Sequence, residues 1–338
     1  MKNLIACVGL LSIMSSTALA QRAPFSTISN QNIFGNSYNL DIFRVATDLP
    51  TGTGARLEPE GMVFHNGVLY VSGDGTGTET NGYLARYAGG DLRFSPTAAG
   101  PFSSSNAAGT TGRFGPEGIT VNTSGQGYGS FSGSTPNLVG VDNVTGGVGR
   151  QLAVMNLSST TVQNQVNGFV NADDITFVPG PVGGADRFAI IDGTAAIPAV
   201  AFYTTAAMPT VIGTGFNLPL GAKGLMFLSA ADAALFSPLA TGDALLVASS
   251  PDGVATSNRL SLYLLNGTLL GESALPTGLG AALLGNIEAL AFDSATRRLF
   301  IGDETGANSQ IAVLTIPSPS GLAMVALIVA MAARRRRN

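Results

Sequence analysis

Glu60-Gly61-Met62-Val63-Phe64, a turn at Asn66-Gly67, and Leu69-Tyr70-Val71-Ser72-Gly73-Asp74 form the stretch on which the fold turns. An acidic residue and a small one lead into a β-prone triplet. A turn dipeptide of hairpin type follows, and a second β-prone run ends in Gly-Asp. The pattern returns at Glu117-Gly118-Ile119-Thr120-Val121, with Tyr128 to Gly133 as its second run. It returns again at Asp174-Ile175-Thr176-Phe177-Val178 with Phe188 to Asp192, and at Lys223-Gly224-Leu225-Met226-Phe227 with Ala244 to Ser249. The fifth copy is Glu288-Ala289-Leu290-Ala291-Phe292 with Leu299-Phe300-Ile301-Gly302-Asp303.

The copies start 57, 57, 49 and 65 residues apart, which suits four-stranded propeller blades of ~40–50 residues with lengthened loops. Further strands are expected at Tyr83–Tyr87, Leu138–Val141, Ala199–Thr204 and Leu260–Leu265. The last copy is followed by one good strand, Gln310–Thr315, so its missing outer strand is expected from Leu40–Val45 at the start of the body. Such closure removes two exposed sheet edges. The reading is all-β, a β-propeller of five blades, or six if one copy is too degenerate to see. The competing architectures are a β-helix and a β-sandwich. A sandwich of this length needs two domains, and no linker composition separates them. Helical periodicity is nearly absent, with at most a turn at Ala230–Leu235.

The two ends differ from this body. Lys2, an apolar run from Leu4 to Met14 and the small residues of Thr17-Ala18-Leu19-Ala20 have the order of a signal peptide cleaved after Ala20 by signal peptidase. An uncleaved N-terminal anchor is the alternative. Cys7 lies before most of the apolar run, not after it as lipidation requires. At the other end, Ile316-Pro317-Ser318-Pro319-Ser320 precedes apolar Gly321–Ala333 and Arg334–Arg337. Thirteen helical residues reach about 20 Å, short of a ~30 Å hydrocarbon core, and the arginines favour the cytoplasmic side. The segment reads as a short transmembrane helix that holds the chain at the inner membrane through residues 321–333. The domains are therefore 1–20 leader, 21–316 propeller and 317–338 sorting segment.

This tripartite tail resembles the PEP-CTERM sorting signal, with Pro317-Ser318-Pro319 where that family has Pro-Glu-Pro. The resemblance implies processing by an exosortase-type enzyme and delivery to the cell surface or extracellular matrix. A plain tail anchor is the alternative.

Setting aside residues 1–20 and 317–338 leaves 296 residues, which hold 12 basic and 21 acidic side chains. A body of net charge near −9 argues against nucleic acid and against anionic membrane surfaces as partners. The only cysteine leaves with the leader, so disulfide and thiol chemistry are excluded.

Innermost blade strands begin near the channel, so Glu60, Glu117, Asp174, Lys223 and Glu288 are expected at one mouth. Carboxylates facing one axis repel unless an ion or the lysine neutralises them. Glu60, Glu117, Asp174 and Glu288 are the candidate metal ligands, with Asn171, Asp173 and Asn286 as possible additions. Oxygen donors suit Ca2+, and one histidine with no thiol argues against zinc. The structural alternative is that each carboxylate accepts backbone amides and locks its blade turn. Asp74, Asp192, Asp303 and Glu304 at blade ends read mainly as turn caps, although Asp74-Gly75-Thr76-Gly77-Thr78-Glu79 faintly has a Ca2+-loop order. His65, the only histidine, reads as an exposed turn residue. No Gly-x-Ser-x-Gly elbow, P-loop or dinucleotide glycine motif occurs, and no catalytic residue is singled out.

The Glu-Gly-apolar start and the Leu-Tyr-Val-Ser-Gly-Asp run, at 57–74 and 285–304, resemble blades of NHL, SMP-30/gluconolactonase-like and phytase-esterase-like propellers. The gluconolactonase-like family implies a divalent metal held in the channel by acidic and Asn side chains. Two functions follow as expectations. One is a surface propeller that binds a matrix polysaccharide, protein or small ligand without catalysis. The other is a Ca2+-dependent lactonase or phosphoesterase working at the acidic mouth with metal-activated water.

Overall fold

The computed structural model describes residues 21–49, 56–73, 82–101, 103–104, 116–123, 137–142, 151–157, 161–167, 172–181, 184–192, 197–206, 209–213, 215–251, 258–275 and 284–317. These residues form five sheets, antiparallel but for one edge pair, arranged as a β-propeller. Blade 1 contains β3 (Gly61–His65), β4 (Val68–Gly73), β5 (Tyr83–Ala88) and β6 (Thr97–Pro101) in spatial order. Blade 2 contains β8 (Gly118–Val121), β9 (Leu138–Asp142), β10 (Gln151–Met155) and β11 (Thr161–Asn167), with β7 (Ser103–Ser104) added in parallel at its outer edge. The partner of β8 is therefore β9, not Tyr128–Gly133, which falls outside the described residues.

Blade 3 holds β12 (Ala172–Val178), β13 (Arg187–Asp192), β14 (Ala199–Thr204) and β15 (Phe216–Asn217). Blade 4 holds β16 (Ala222–Leu228), β17 (Ala244–Ser249), β18 (Arg259–Leu264) and β19 (Leu269–Ala274). In blade 5, β20 (Ile287–Asp293), β21 (Arg298–Asp303) and β22 (Gln310–Thr315) come from the end of the body. Its outer strands are β2 (Asn36–Arg44) and then β1 (Ser26–Ile33) from the start. Leu40 pairs with Leu314 and Arg44 with Gln310, which is the closure expected for Leu40–Val45. β1 adds an outermost strand that the repeat does not foreshadow.

The innermost strands β3, β8, β12, β16 and β20 pack in a closed ring around the channel. Local chemistry sets the hairpins: Asn66 and Gly67 have φ of 47° and 75°, the left-handed pair that a two-residue turn between twisted strands requires. The one α-helix among the described residues, α1 (Ala230–Phe236), is N-capped by Ser229, whose Oγ accepts the Asp232 amide at 3.2 Å.

Between blades the faces bury continuous apolar layers. Blades 4 and 5 share a cluster with Leu246, Leu262, Leu290, Ile301 and Leu314 around Phe236. Phe64 of blade 1 stacks on Phe300 of blade 5 with centroids 6.1 Å apart. At about 1.5–3 kcal/mol for each such side chain taken from water, these layers dominate the stability of a body without disulfides. Polar stitches fix their register. Ser72 Oγ donates to Pro116 O at 3.0 Å across blades 1 and 2. Thr120 Oγ1 accepts the Phe177 amide at 2.9 Å, and Thr176 Oγ1 the Phe227 amide at 3.1 Å.

Among the described residues no helix is long and apolar enough to cross a membrane. The leader at 1–20 and the tail from Ser318 onward lie outside the described residues.

Candidate functional site

The start of each innermost strand defines one mouth of the channel. In β12, Ala172 pairs with Asp192 and Asp174 with Ile191, so Asp173 is bulged out of the ladder. Lys223 in β16 and Glu288 in β20 are bulged at the equivalent point. Glu60 and Glu117 stand directly before Gly61 and Gly118, the first residues of β3 and β8. The register thus makes the ring Glu60, Glu117, Asp173, Lys223 and Glu288.

Asp174 is displaced from that ring by one position. It occupies the place held elsewhere by Gly61, Gly118, Gly224 and Ala289, and its carboxylate turns into the seam between blades 3 and 4. There Oδ1 accepts the Ile175 amide at 2.7 Å and Oδ2 the Leu225 amide at 2.5 Å. The side chain is buried, and burial pushes its carboxyl well up against the opposing pull of the two amides. A Cβ on Gly118 would lie 2.3 Å from Asp174 Oδ1 and 2.6 Å from its Cα, which explains the glycine opposite it.

The carboxylates that converge are Glu58, Glu60 and Glu304, with one oxygen of each within 4.8 Å of the others. Glu58 and Glu60 are buried and Glu304 half-buried. Glu58 is absent from the sequence expectation because it precedes the repeat, although Glu58-Pro59-Glu60 stands beside it. Glu304 stands in the sequence as a blade-end cap. Chain direction brings them together: β21 ends at the mouth where β3 begins, and the seam between blades 5 and 1 joins them.

Beside this triplet, Lys223 Nζ forms an ion pair with Glu288 Oε1. Asn286 Nδ2 donates to Glu288 Oε1 at 2.6 Å and to Glu304 Oε2 at 3.2 Å. Asp303 holds this loop in place. Its Oδ1 accepts the amides of Gly285 and Asn286 at 2.9 and 2.7 Å, and its Oδ2 accepts Gln310 Nε2 at 2.9 Å. Asp303 therefore positions Asn286 from a fully buried site.

Electrostatics reflect the crowding. Burial first, then Glu288 and Glu58, pushes Glu304 up to about 8 against the pull of Lys223. Burial likewise raises Asp173 to about 6, where Lys223 opposes the shift while Glu288 and Asp192 add to it. Burial alone would lower the Lys223 ammonium, but Glu288, Glu304 and Asp173 raise it overall. Glu117, half-buried, keeps its ring position outside the converging triplet, its amide donating to Val141 O at 2.9 Å. Asp192 is half-buried at the end of β13. Asn171 and the segment Asp74–Glu79 lie outside the described residues.

The donor set fits a hard divalent cation. Ca2+ takes oxygens at about 2.3–2.6 Å, so two ligands across one ion stand up to about 5 Å apart, and a spread of 4.8 Å is within that span.

Toward the opposite mouth the channel widens into a cavity of about 230 Å3 bordered by Phe64, Phe177, Phe227 and Phe292. His65 borders this cavity too. It is half-buried rather than an exposed turn residue, and burial pushes its imidazole down.

No protein-family model matches the chain, and no curated protein matches it. Among solved structures it is similar to glutaminyl cyclase of Myxococcus xanthus, at 13% identity and a TM-score of 0.45 over 82% of this chain and 97% of that one. It is also similar to the β-propeller domain of Cps50 (Swd1) from Myceliophteria thermophila, at 11% identity and a TM-score of 0.38 over 82% and 71%. Hydrazine synthase of Kuenenia stuttgartiensis aligns at 14% identity and a TM-score of 0.36 over 90% and 98%.

Proposed function

We propose that this chain is an exported propeller that acts outside the inner membrane as a binding module, with Ca2+ held at its acidic mouth by Glu58, Glu60 and Glu304. The observation that carries the cation reading is the convergence of those three carboxylates, two of them buried. Carboxylates gathered in a partly desolvated place repel one another when ionised, and a bound cation relieves that repulsion. Support for export comes from the ends: Lys2, Leu4–Met14 and Ala18-Leu19-Ala20 in front, and Pro317-Ser318-Pro319, Gly321–Ala333 and Arg334–Arg337 behind. Signal peptidase and an exosortase-type enzyme are the processing partners in this reading, and the ligand is a matrix polysaccharide or protein.

Calorimetry of the chain in Ca2+ and then in EDTA tests the site. At a hundredfold excess over Kd, binding to the folded state adds about 2.7 kcal/mol, which for a body of this size raises the unfolding midpoint by about 5–10 °C. Glu58→Gln is expected to remove most of that rise. An identical midpoint in Ca2+ and EDTA would end the cation reading.

One observation favours a second reading, a lactone or phosphoester hydrolase. Asp173, raised to about 6, stands at the same mouth and can accept a proton near neutral pH. A divalent cation there would supply Lewis acidity toward the carbonyl or phosphoryl oxygen. In that case Asp173→Asn abolishes turnover while keeping the Ca2+-induced rise in midpoint. Turnover that survives this substitution excludes Asp173 as the base.

A further inference from the structure

We infer that, while its tail is in the membrane, the body is held with the acidic mouth turned away from the bilayer. The inference rests on the tail reading above and adds an orientation to it. The mouth lies at the start of β20 and the end of β21, where Ile287 pairs with Asp303. β22 starts at that mouth, with Gln310 opposite Asp303, and runs away from it to Thr315 opposite Arg298. Ile316 is still docked, buried, with its amide on Arg297 O at 2.8 Å. The chain therefore leaves the body at Pro317 on the face opposite the acidic mouth.

The tether is short. Only Pro317 to Ser320 separate docked Ile316 from the apolar segment that starts at Gly321. Four residues span at most about 14 Å, whereas the six residues of β22 alone rise about 20 Å through the body. The leash cannot carry the mouth around to the membrane.

Charge acts in the same direction. Glu58, Glu60, Glu117, Asp173 and Glu288 gather at the mouth against Lys223, and an anionic lipid surface repels that face within a Debye length of about 8 Å. The opposite face carries Arg297 and Arg298 beside the exit, with Arg298 ion-paired to Asp293, and among the described residues no comparable cluster of acids surrounds the exit itself. The cation site and its surroundings thus face the medium, where a matrix partner can reach them.

The body has no cysteine, so the test uses single thiols in the full chain carrying Cys7→Ser. Thr268→Cys places a label in the exposed β18–β19 turn on the tail side, and Ala274→Cys places one at the mouth-side end of the same hairpin. Each labelled chain is bound to vesicles of phosphatidylcholine and phosphatidylglycerol containing a head-group nitroxide lipid that quenches at short range. Flotation with the vesicles is scored first, and a chain that does not float overturns the tether reading and this inference with it. In floated protein, the Thr268→Cys label is expected to be quenched several-fold more than the Ala274→Cys label. Equal quenching, or stronger quenching at Ala274→Cys, overturns the orientation while leaving the tether standing.

Discussion

Replacing Asp174 by alanine is expected to lower the unfolding midpoint by about 5–15 °C. The carboxylate caps the amides of Ile175 and Leu225 in a buried seam, and alanine leaves both without an acceptor. A buried unsatisfied amide costs about 1–3 kcal/mol, so two cost about 2–6 kcal/mol. The acid's own desolvation, visible in its raised carboxyl, is recovered on removal and draws the loss toward the lower half of that range. For a domain of this size each kcal/mol moves the midpoint by about 2–4 °C. Asn keeps one acceptor oxygen and is expected to fall between wild type and alanine. Thermal melts by circular dichroism decide it: an alanine variant that melts with wild type means the two amides find other partners.

The second large effect is a pH dependence set by Glu304. Burial raises its carboxyl to about 8 from the ordinary 4.5, with Glu288, Glu58, Lys223 and Asn286 facing it. A carboxyl that holds its proton more tightly when folded contributes stability in full below its unfolded value. That contribution is lost as pH rises toward about 8. The cation-free protein should therefore lose several degrees of midpoint between pH 5 and 9, with solvent screening at this half-buried group keeping the loss below the full linkage value. Glu304→Gln removes the titrating charge, so its melting curve should be flatter over that range and its midpoint at pH 8 higher than wild type in EDTA. In Ca2+ the order reverses, since the variant has given up a ligand. Parallel pH profiles for the two proteins in EDTA would show that Glu304 does not govern the response.

Most of the architecture is written in the chain because a blade strand is a local object. Ala199–Thr204, Ala244–Ser249 and Gln310–Thr315 coincide with β14, β17 and β22 to the residue. Alternation and turn residues fix such strands without reference to the rest of the molecule. The ring closure was legible too, because a last repeat with only one strand left asks for an outer one.

The site was less legible, for two physical reasons. A bulge shifts side chains by one position and leaves no residue signature, so Asp173-Asp174 could be registered either way. Elsewhere a glycine or alanine after the ring residue removes the ambiguity, but the third copy has an acid in both places. The convergence of Glu58 and Glu304 is non-local: one precedes the first repeat and the other follows the last. Only the closed ring makes them neighbours. Glu60 and Glu288 are legible as mouth residues because both sit at the repeat position itself.

The same closure dictates the order of events in folding. β2 pairs with β22, and Leu40 meets Leu314, from the far end of the body. A chain made from its N-terminus first must carry β2 as an open edge, able to pair with a stranger, until nearly everything else has been built. Bringing the two ends together also carries the loop-closure cost of the whole body, which slows formation of the final blade. Loss of the last strand would thus leave β20 and β21 in the ring but cut off from β2 and β1, so the final dozen residues of the body decide whether its two ends are ever joined.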